Sequence, residues 1–585
     1  MFIKYERKSY NGKPYTYVRV VEGYRNEKGV SCQRPIKNYG ILEEQEDQQA
    51  FIKMVEKDID NMTQRITITI PKSQNTNDAD FNKNYIYGHL FIKSIYDILE
   101  LDEFFDRHQR DINGRMKYRI ADIVRYYSLM RVITPDSKRA LIGHIDRMYG
   151  DDYNFSLDDT YRSFDYIHYL FNDIQSYIHN KISKLFNVDK SLVYYDVTNY
   201  YFEIDFNDSI DNYRHRGVSK EHRIDPIIGM GLFMDSNGLP IRVGLFNGNT
   251  SESITLIEEL NKVKRKENIG RVILVGDKGI NSNPNINTLI EANDGYIFSQ
   301  VLKGKKGRRY NEELFKDEGY HVRIDAGGEV VYKSKSYIED YEYTNSKGYI
   351  KTVKRKVLIY QDMKDAYIAK KKIYEKVEIS KKSIKNGAYS IPKGFEEYVE
   401  YTIVDKATNN EVSSAKLKKE LKMSQIELNL KYAGYFCLIT SEIDYTENQI
   451  REAYHQLWMI EEIFRISKTD LEFRPVFHHV KEHIKVHFLL CYISLIVLKL
   501  FQHKLKQCNV QLSIERIQAV LNRMILNKFN NGFIKLSEIG GYTIDDEDEL
   551  KKDFTNICKA LDIKFDYAFM NAIEFENIIK TIKII

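Results

Sequence analysis

"SLVYYDVTNYYFE" (residues 191–203) is apolar, aromatic or β-branched at nearly every position, the texture of a strand buried on both faces. Asp196 interrupts it. An ionised carboxylate in such a strand is costly unless it is paired or binds a cation. A strand-end turn, or a buried ion pair with an arginine, are the ordinary alternatives. Downstream, "IDPIIGMGLFMD" (224–235), the turn "SNGLP" and "IRVGLFNG" (241–248) read as a hairpin of two more strands. "SESITLIEELNKVKRK" (251–266) is an amphipathic helix, and "RVILVGDKG" (271–279) is a buried strand that ends in an acidic glycine turn. "NSNPNINTLIEAN" (281–293) and "GYIFSQV" (295–301) add a helix and a strand. The order β-β-β-α-β-α-β is that of a ribonuclease-H-like α/β core in three layers.

Around this core the texture changes. Residues 1–65 read as a small region built on a β-hairpin, "KPYTYVRVVEGYRNEKGVSCQRPIKNYG" (13–40). Residues 66–187 turn helical, with a break at Pro135, and small basic helical modules of this kind make them a candidate DNA-binding domain. The first part of the core occupies 188–300. Residues 301–435 leave that plan and are expected to form a basic, mostly β insertion; within 301–385 there are 22 Lys+Arg against 13 Asp+Glu. The core resumes at 436–505, and 506–585 is expected to be helical. The fold class is thus a ribonuclease-H-like α/β core interrupted by a mostly β insertion, with helical N- and C-terminal regions, α+β overall.

Three carboxylates stand out. Asp196 lies within the first strand. Asp277 follows the buried run "RVILVG", at the strand end where α/β proteins place ligands; Lys278 and Asn281 beside it suit phosphate contacts. Glu461 lies in "YHQLWMIEEIFRISKTDLEFRPVF" (454–477), which reads as a helix. Its polar stripe holds Tyr454, Trp458, Glu461, Arg465 and Lys468, and its opposite stripe Ala453, Leu457, Ile460 and Phe464 is apolar. Three acids from two strands and a returning helix can surround two hard divalent ions for in-line displacement at a phosphate. Glu462 is the neighbour of Glu461 and its rival. Glu203 and Asp205 also invite a metal reading, as do His478, His479, His483 and His487, although the histidines are expected to be structural or to face DNA.

"YHQLWMIEEIFRISK" resembles the Y-(2)-R-(3)-E-(6)-K signature of bacterial insertion-sequence DDE transposases of the insertion-sequence-4-like group. Tyr454, Glu461 and Lys468 match its Tyr, Glu and Lys, while Leu457 stands at its Arg position. "YYDVTNYYFE" and "VGDKGINSN" are similar to the motifs of the two aspartates, and 183 residues separate Asp277 from Glu461. The resemblance implies cut-and-paste transposition with Asp196, Asp277 and Glu461 as catalytic, metal-holding acids. Two Mg²⁺ ions are expected, with Mn²⁺ able to substitute. Tyr454, Trp458, Arg465, Lys468 and Lys278 are the expected DNA contacts, Arg465 or Arg451 standing in for the missing arginine. The expected partners are terminal inverted repeats, target DNA and a second copy of the chain in a synaptic homodimer. A Mg²⁺-dependent nuclease of the same fold and a DNA-binding derivative without catalysis are the rival readings.

Bulk properties narrow the classes further. A net charge of +4 over 585 residues places any DNA affinity in local patches and not in a global field. The five cysteines are scattered without a C-x-x-C pair, which argues against a zinc ribbon or a disulfide framework and suits a reducing cytoplasm. "HFLLCYISLIVLKLF" (487–501) is short of the ~20 residues that cross a bilayer and reads as a buried core helix. The start "MFIKYERKSY" has no apolar core of a secretory signal. The expected location is the bacterial cytoplasm, on the nucleoid, with no membrane partner.

Overall fold

The computed structural model describes residues 2–10, 13–25, 31–62, 83–112, 116–186, 191–203, 212–221, 223–267, 270–386, 394–404, 416–529, 532–537, 544–565 and 569–582. The chain divides into two units, Met1–Ala79 and Asp80–Ile585. In the first, strands Phe2–Tyr10, Lys13–Arg25 and Ser31–Ile41 form an antiparallel sheet in chain order, and helix Gln48–Met62 follows. This is one strand more than the hairpin read from sequence. The first strand is masked there by its charges, because Glu6 meets Lys4, Lys8 and Arg19 as ion pairs on the sheet surface.

The second unit is built on a nine-stranded sheet. Its strands, numbered in chain order, are β1 (Leu192–Tyr201), β2 (Ile227–Asp235), β3 (Pro240–Asn247), β4 (Ile273–Gly276) and β5 (Gly295–Ser299). They continue with β6 (His321–Ile324), β7 (Val330–Thr344), β8 (Ile350–Asp362) and β9 (Tyr435–Thr440). The spatial order is β6-β7-β8-β9-β5-β4-β1-β2-β3. β1, β4 and β5 run parallel, and β2 is antiparallel to β1. Helices Glu252–Glu267 and Asn283–Glu291 make the crossovers. These five strands have the ribonuclease-H-like order expected from 191–301.

The segment 301–435 differs from expectation. It is not a separate, mostly β module: β7 and β8 lengthen the core sheet, with β8 paired directly to β9. Before them lies helix Gly304–Phe315, and after them Met363–Lys385 and Met423–Lys431. The strands read as surface pieces because lysines alternate with residues that face inward, such as Tyr341, Tyr343, Val357 and Ile359, which join the core on one side of the sheet.

Three helices complete the core: α1 (Glu447–His455), α2 (Trp458–Thr469) and α3 (Lys481–Gln507). The single helix read over 454–477 is therefore broken at Gln456–Leu457 and ends at Thr469. Beyond it Leu471, Phe473 and Val476 are buried, in an irregular turn whose Leu471 and Phe473 N–H groups bond back to the Ile466 and Ser467 carbonyls. α3 is long and apolar enough to cross a membrane, but 89% of its most apolar window is buried inside the fold. It packs against helix Ile120–Ile133, whose side chains are buried almost throughout. The C-terminal region is not purely helical. Strands Ile525–Lys528, Phe533–Leu536 and Phe569–Asn571 form a small sheet with Asn84–Ile86, which ties the two ends of this unit together.

The histidines after α2 serve packing. His487 is buried, with Nδ1 2.9 Å from Lys138 Nζ and Nε2 3.0 Å from the Phe473 carbonyl. His483 meets Asp165, His479 meets Arg214, and His478 packs edge-on against Phe164. Burial pushes the Lys138 ammonium down to about 7.

Candidate active site

The parallel register of β1 and β4 pairs Tyr194 with Val275. Continued by two residues, it sets Asp196 level with Asp277 on adjacent strands. Asp277 follows the last residue of β4 and is exposed, while Asp196 sits inside β1 with a side chain 22% exposed. Two tyrosines of β1 seat the returning helices. Tyr194 donates to Gln456 Oε1 at 2.7 Å, and the hydroxyls of Tyr200 and Ser467 lie 2.6 Å apart. The apolar stripe Ala453, Leu457, Ile460 and Phe464 is buried as expected, which turns Glu461 in the first turn of α2 outward.

Asp196, Asp277 and Glu461 all line one cavity of about 730 Å³. Tyr454 and Trp458 line it too, with Tyr360, Phe436, Arg451 and Lys364. The Tyr454 hydroxyl donates to Asp277 Oδ1 at 3.2 Å, and burial raises that phenol well above its ordinary range. Trp458 is half exposed at the cavity. Tyr360 and Phe436, also in the lining, stack with centroids 5.1 Å apart.

Burial raises the Asp196 carboxyl to about 6, aided by the charges of Glu252 and Asp277 and opposed by Lys220 and the Val197 N–H. That N–H donates to Asp196 Oδ1 at 2.8 Å. Hard carboxylate oxygens from three elements facing one cavity are the donors a divalent cation such as Mg²⁺ prefers. Among the described residues no three His, Cys, Asp or Glu side chains are gathered round one point.

The other expected contacts fall elsewhere. Arg465 pairs with Asp470, and Lys468 with Glu221 at 3.1 Å; neither lines the cavity. Lys278 is exposed in the turn after Asp277 and also lies outside the cavity lining. Asn281 donates to the Ser299 carbonyl and to Gln300, a structural use. Glu462 lines a second cavity of about 380 Å³ on the far side of Trp458, with Lys499. Glu203 is exposed past the end of β1, and Asp205 lies outside the described residues.

Sequence reasoning missed three charged residues at and beside the acids. Lys220 Nζ lies 3.9 Å from Asp196 Oδ1 and 3.0 Å from Glu252 Oε1. Glu221 holds Lys468 and Arg474. Glu252 read only as the start of an amphipathic helix, whereas the adjacent opposite charges of "SKEH" (219–222) were a signal available to be weighed.

Two family models match the chain. Residues 3–67 match the N-terminal domain of IS1634 family transposases, and residues 228–497 match the transposase DDE domain. No curated protein matches. Among solved structures, a piggyBac transposase synaptic complex with hairpin DNA aligns at TM-score 0.35 and 10% identity, over 75% of this chain and 80% of that one. A Mos1 transposase paired-end complex with the left transposon end aligns at TM-score 0.14 and 11% identity, over 43% of this chain and 67% of that one. DDE transposase domains work with divalent metal ions, which agrees with the three acids of the cavity. With transposase models at its N-terminus and across its core, the chain is a DDE transposase of insertion-sequence type, an enzyme that cuts and transfers DNA strands.

Proposed function

We propose that the enzyme binds the terminal inverted repeats of its own element and moves it by cut-and-paste transposition, with Asp196, Asp277 and Glu461 as the catalytic acids. The observation that carries this reading is the convergence of β1, β4 and α2: two aspartates level on parallel strands and a glutamate from a returning helix on one cavity. The acids would hold two Mg²⁺ ions, which when bound supply Lewis-acid polarisation of a phosphodiester and a lowered water pKa. Tyr454, donating to Asp277, fixes that carboxylate and presents an aromatic face to the DNA end. Trp458, half exposed beside it, offers a stacking surface for a base.

The match of Tyr454, Glu461 and Lys468 to the signature spacing supports placement in the insertion-sequence-4-like group. Cations from Arg451, Lys364, Arg465, Lys468 and Lys278 would hold phosphates, and that affinity falls steeply with salt. Pairing of two ends calls for a homodimer on DNA. The test is a reaction of purified protein with labelled DNA carrying the flanking repeat, in Mg²⁺ or Mn²⁺, beside Asp196→Ala. Cleavage at the repeat end and joined products from the intact protein alone are expected. Equal products from Asp196→Ala would refute the assignment.

A further inference from the structure

Two neighbouring residues of opposite charge reach, from one short stretch of chain, the candidate site and the segment that leads out of it. The Lys220 ammonium lies 3.0 Å from Glu252 Oε1 and 3.9 Å from Asp196 Oδ1, and it donates to the Val197 carbonyl. The Glu252 carboxylate rests on the turn that follows Asp277: a Cβ at Gly279 would fall 2.5 Å from Glu252 Oε2. The ammonium therefore sits among the negative charge of the site. The next residue does the reverse. Glu221 accepts from Lys468 at 3.1 Å and from Arg474, both cations on the segment that leads out of Glu461. Burial works against ionisation of Glu221, yet these two cations outweigh it and hold the carboxyl below its ordinary range.

We propose that Lys220 and Glu221 form a strap that mimics both ligands of the site, an ammonium in place of a divalent cation and a carboxylate in place of a DNA phosphate. The resting enzyme is then charge-satisfied, and loading metal and DNA displaces the strap. This rests on the reading of Asp196 and Asp277 as metal-holding acids and of Lys468 as a DNA contact.

The way the strap is held fits a contact made to be exchanged. Its base is fixed: Gly217 lies so close to the Gly248 carbonyl that a Cβ would meet it at 2.0 Å. Asn199 Nδ2 donates to the Val218 carbonyl at 3.1 Å, and Lys220 N–H to Asn199 Oδ1 at 3.4 Å. Its side chains reach into solvent: Val218 is 93% exposed, and the Lys220 side chain 41%. Ion pairs that keep contact with water are weak and yield to a stronger competitor. A divalent ion brings twice the charge of an ammonium to the same carboxylates, and a DNA strand brings phosphates in series.

The test uses the full chain without DNA, with Mn²⁺ alone as probe, its free concentration read by electron paramagnetic resonance. Lys220→Met should bind Mn²⁺ at least about fivefold more tightly than the unaltered protein, at the lower end of ordinary coupling between sites. Lys220→Arg, which keeps the charge, should stay near the unaltered affinity and shows that the fold tolerates change at 220. Unchanged or weaker binding by Lys220→Met, with binding lost in Asp196→Ala, overturns the strap and leaves the acids standing. Unchanged binding in Asp196→Ala overturns the site itself and the strap with it. In parallel, Glu221→Gln should bind a repeat-end duplex more tightly in the absence of metal. The slope of log affinity against log salt should steepen by about one to two, as Lys468 and Arg474 turn to phosphates. An equal or shallower slope overturns the anionic half of the strap.

Discussion

Replacing Asp196 by Asn should make the metal-free protein more stable at neutral pH, although it destroys the proposed site. Folding carries this carboxyl from an ordinary value of 3.8 to about 6, chiefly through burial. Between those pH values the native state binds more proton than the unfolded chain, so stability falls as pH rises through the window. The loss is complete above about pH 7. Each pH unit of difference is worth about 1.36 kcal/mol, so the buried charge costs about 3 kcal/mol. The attraction of Lys220 is already contained in the value near 6. Asparagine keeps the shape and cannot ionise. Thermal unfolding of both proteins in chelator, from pH 4 to pH 8, should give coincident midpoints near pH 4 and a gap that opens through pH 6 in favour of Asp196→Asn. Adding Mg²⁺ or Mn²⁺ at a hundred times its dissociation constant should return about 2.7 kcal/mol to the unaltered protein only. A gap that does not change with pH, or a variant less stable at pH 8, would refute the electrostatic account of this residue.

Three further outcomes test other parts of the molecule. Glu461→Gln, on an exposed position of α2, should leave thermal stability and repeat-end binding within about twofold while cleavage falls by two orders of magnitude or more, because metal-borne charge stabilisation is worth several kcal/mol; cleavage within tenfold of normal would remove Glu461 from the acids. Trp458→Ala should weaken binding of a frayed repeat end by about 1–3 kcal/mol, the range for one stacked base, with little change in the melting midpoint; equal affinity in a gel-shift titration would relieve Trp458 of that role. Lys138 ionises near 7 when folded against 10.5 free, so stability should rise as pH climbs from 7 towards 10. Lys138→Met should lack that rise, which amounts to about 3 kcal/mol between pH 7 and pH 9.5 by urea denaturation.

The core was legible where burial was two-sided. β1, β4 and β5 are short apolar runs bounded by glycine, asparagine or aspartate, and an acid inside or just after such a run stands out against its neighbours. Asp196 and Asp277 could be picked out for that reason. Glu461 needed a different signal, the alternation of one polar and one apolar stripe, and burial of Ala453, Leu457, Ile460 and Phe464 agrees with it. What stayed hidden was long-range pairing. Nothing local in "YIKTVKRKVLIY" says that Val357 and Ile359 will face the core side of a sheet whose next strand, β9, begins at Tyr435. The same holds for Asn84–Ile86, which is in its sheet because of a strand more than 400 residues away in sequence, Ile525–Lys528. Lys220 and Glu252 were missed because charged residues in a turn and at a helix start read as solvated surface until the fold closes them over Asp196.

The broken helix gives a physical reason for Leu457 at the Arg position of the signature this chain is proposed to share. A continuous helix would carry Tyr454, Trp458, Glu461, Arg465 and Lys468 along a single stripe, and position 457 would be one residue off it. Instead the chain turns at Gln456–Leu457, and Leu457 becomes the corner residue, 9% exposed against the apolar core beneath α1 and α2. A guanidinium at that corner would have to leave its charge in an apolar setting or swing across the mouth of the cavity. The positive charge enters from a different place. Arg451, one turn before Tyr454 on α1, lines the same cavity, with its guanidinium 4.8 Å from the centre of the Tyr332 ring. Arg465, the other candidate for that duty, is held by Asp470 away from the cavity. The break also separates the five residues of the stripe into two sets. Tyr454, Trp458 and Glu461 turn to Asp196 and Asp277, while Arg465 and Lys468 continue along α2 past the cavity, at the height where Glu221 meets Lys468. On the proposed function, chemistry at the acids and grip on the DNA backbone would then fall at opposite ends of one short helix, with Trp458 at its first turn lining both cavities.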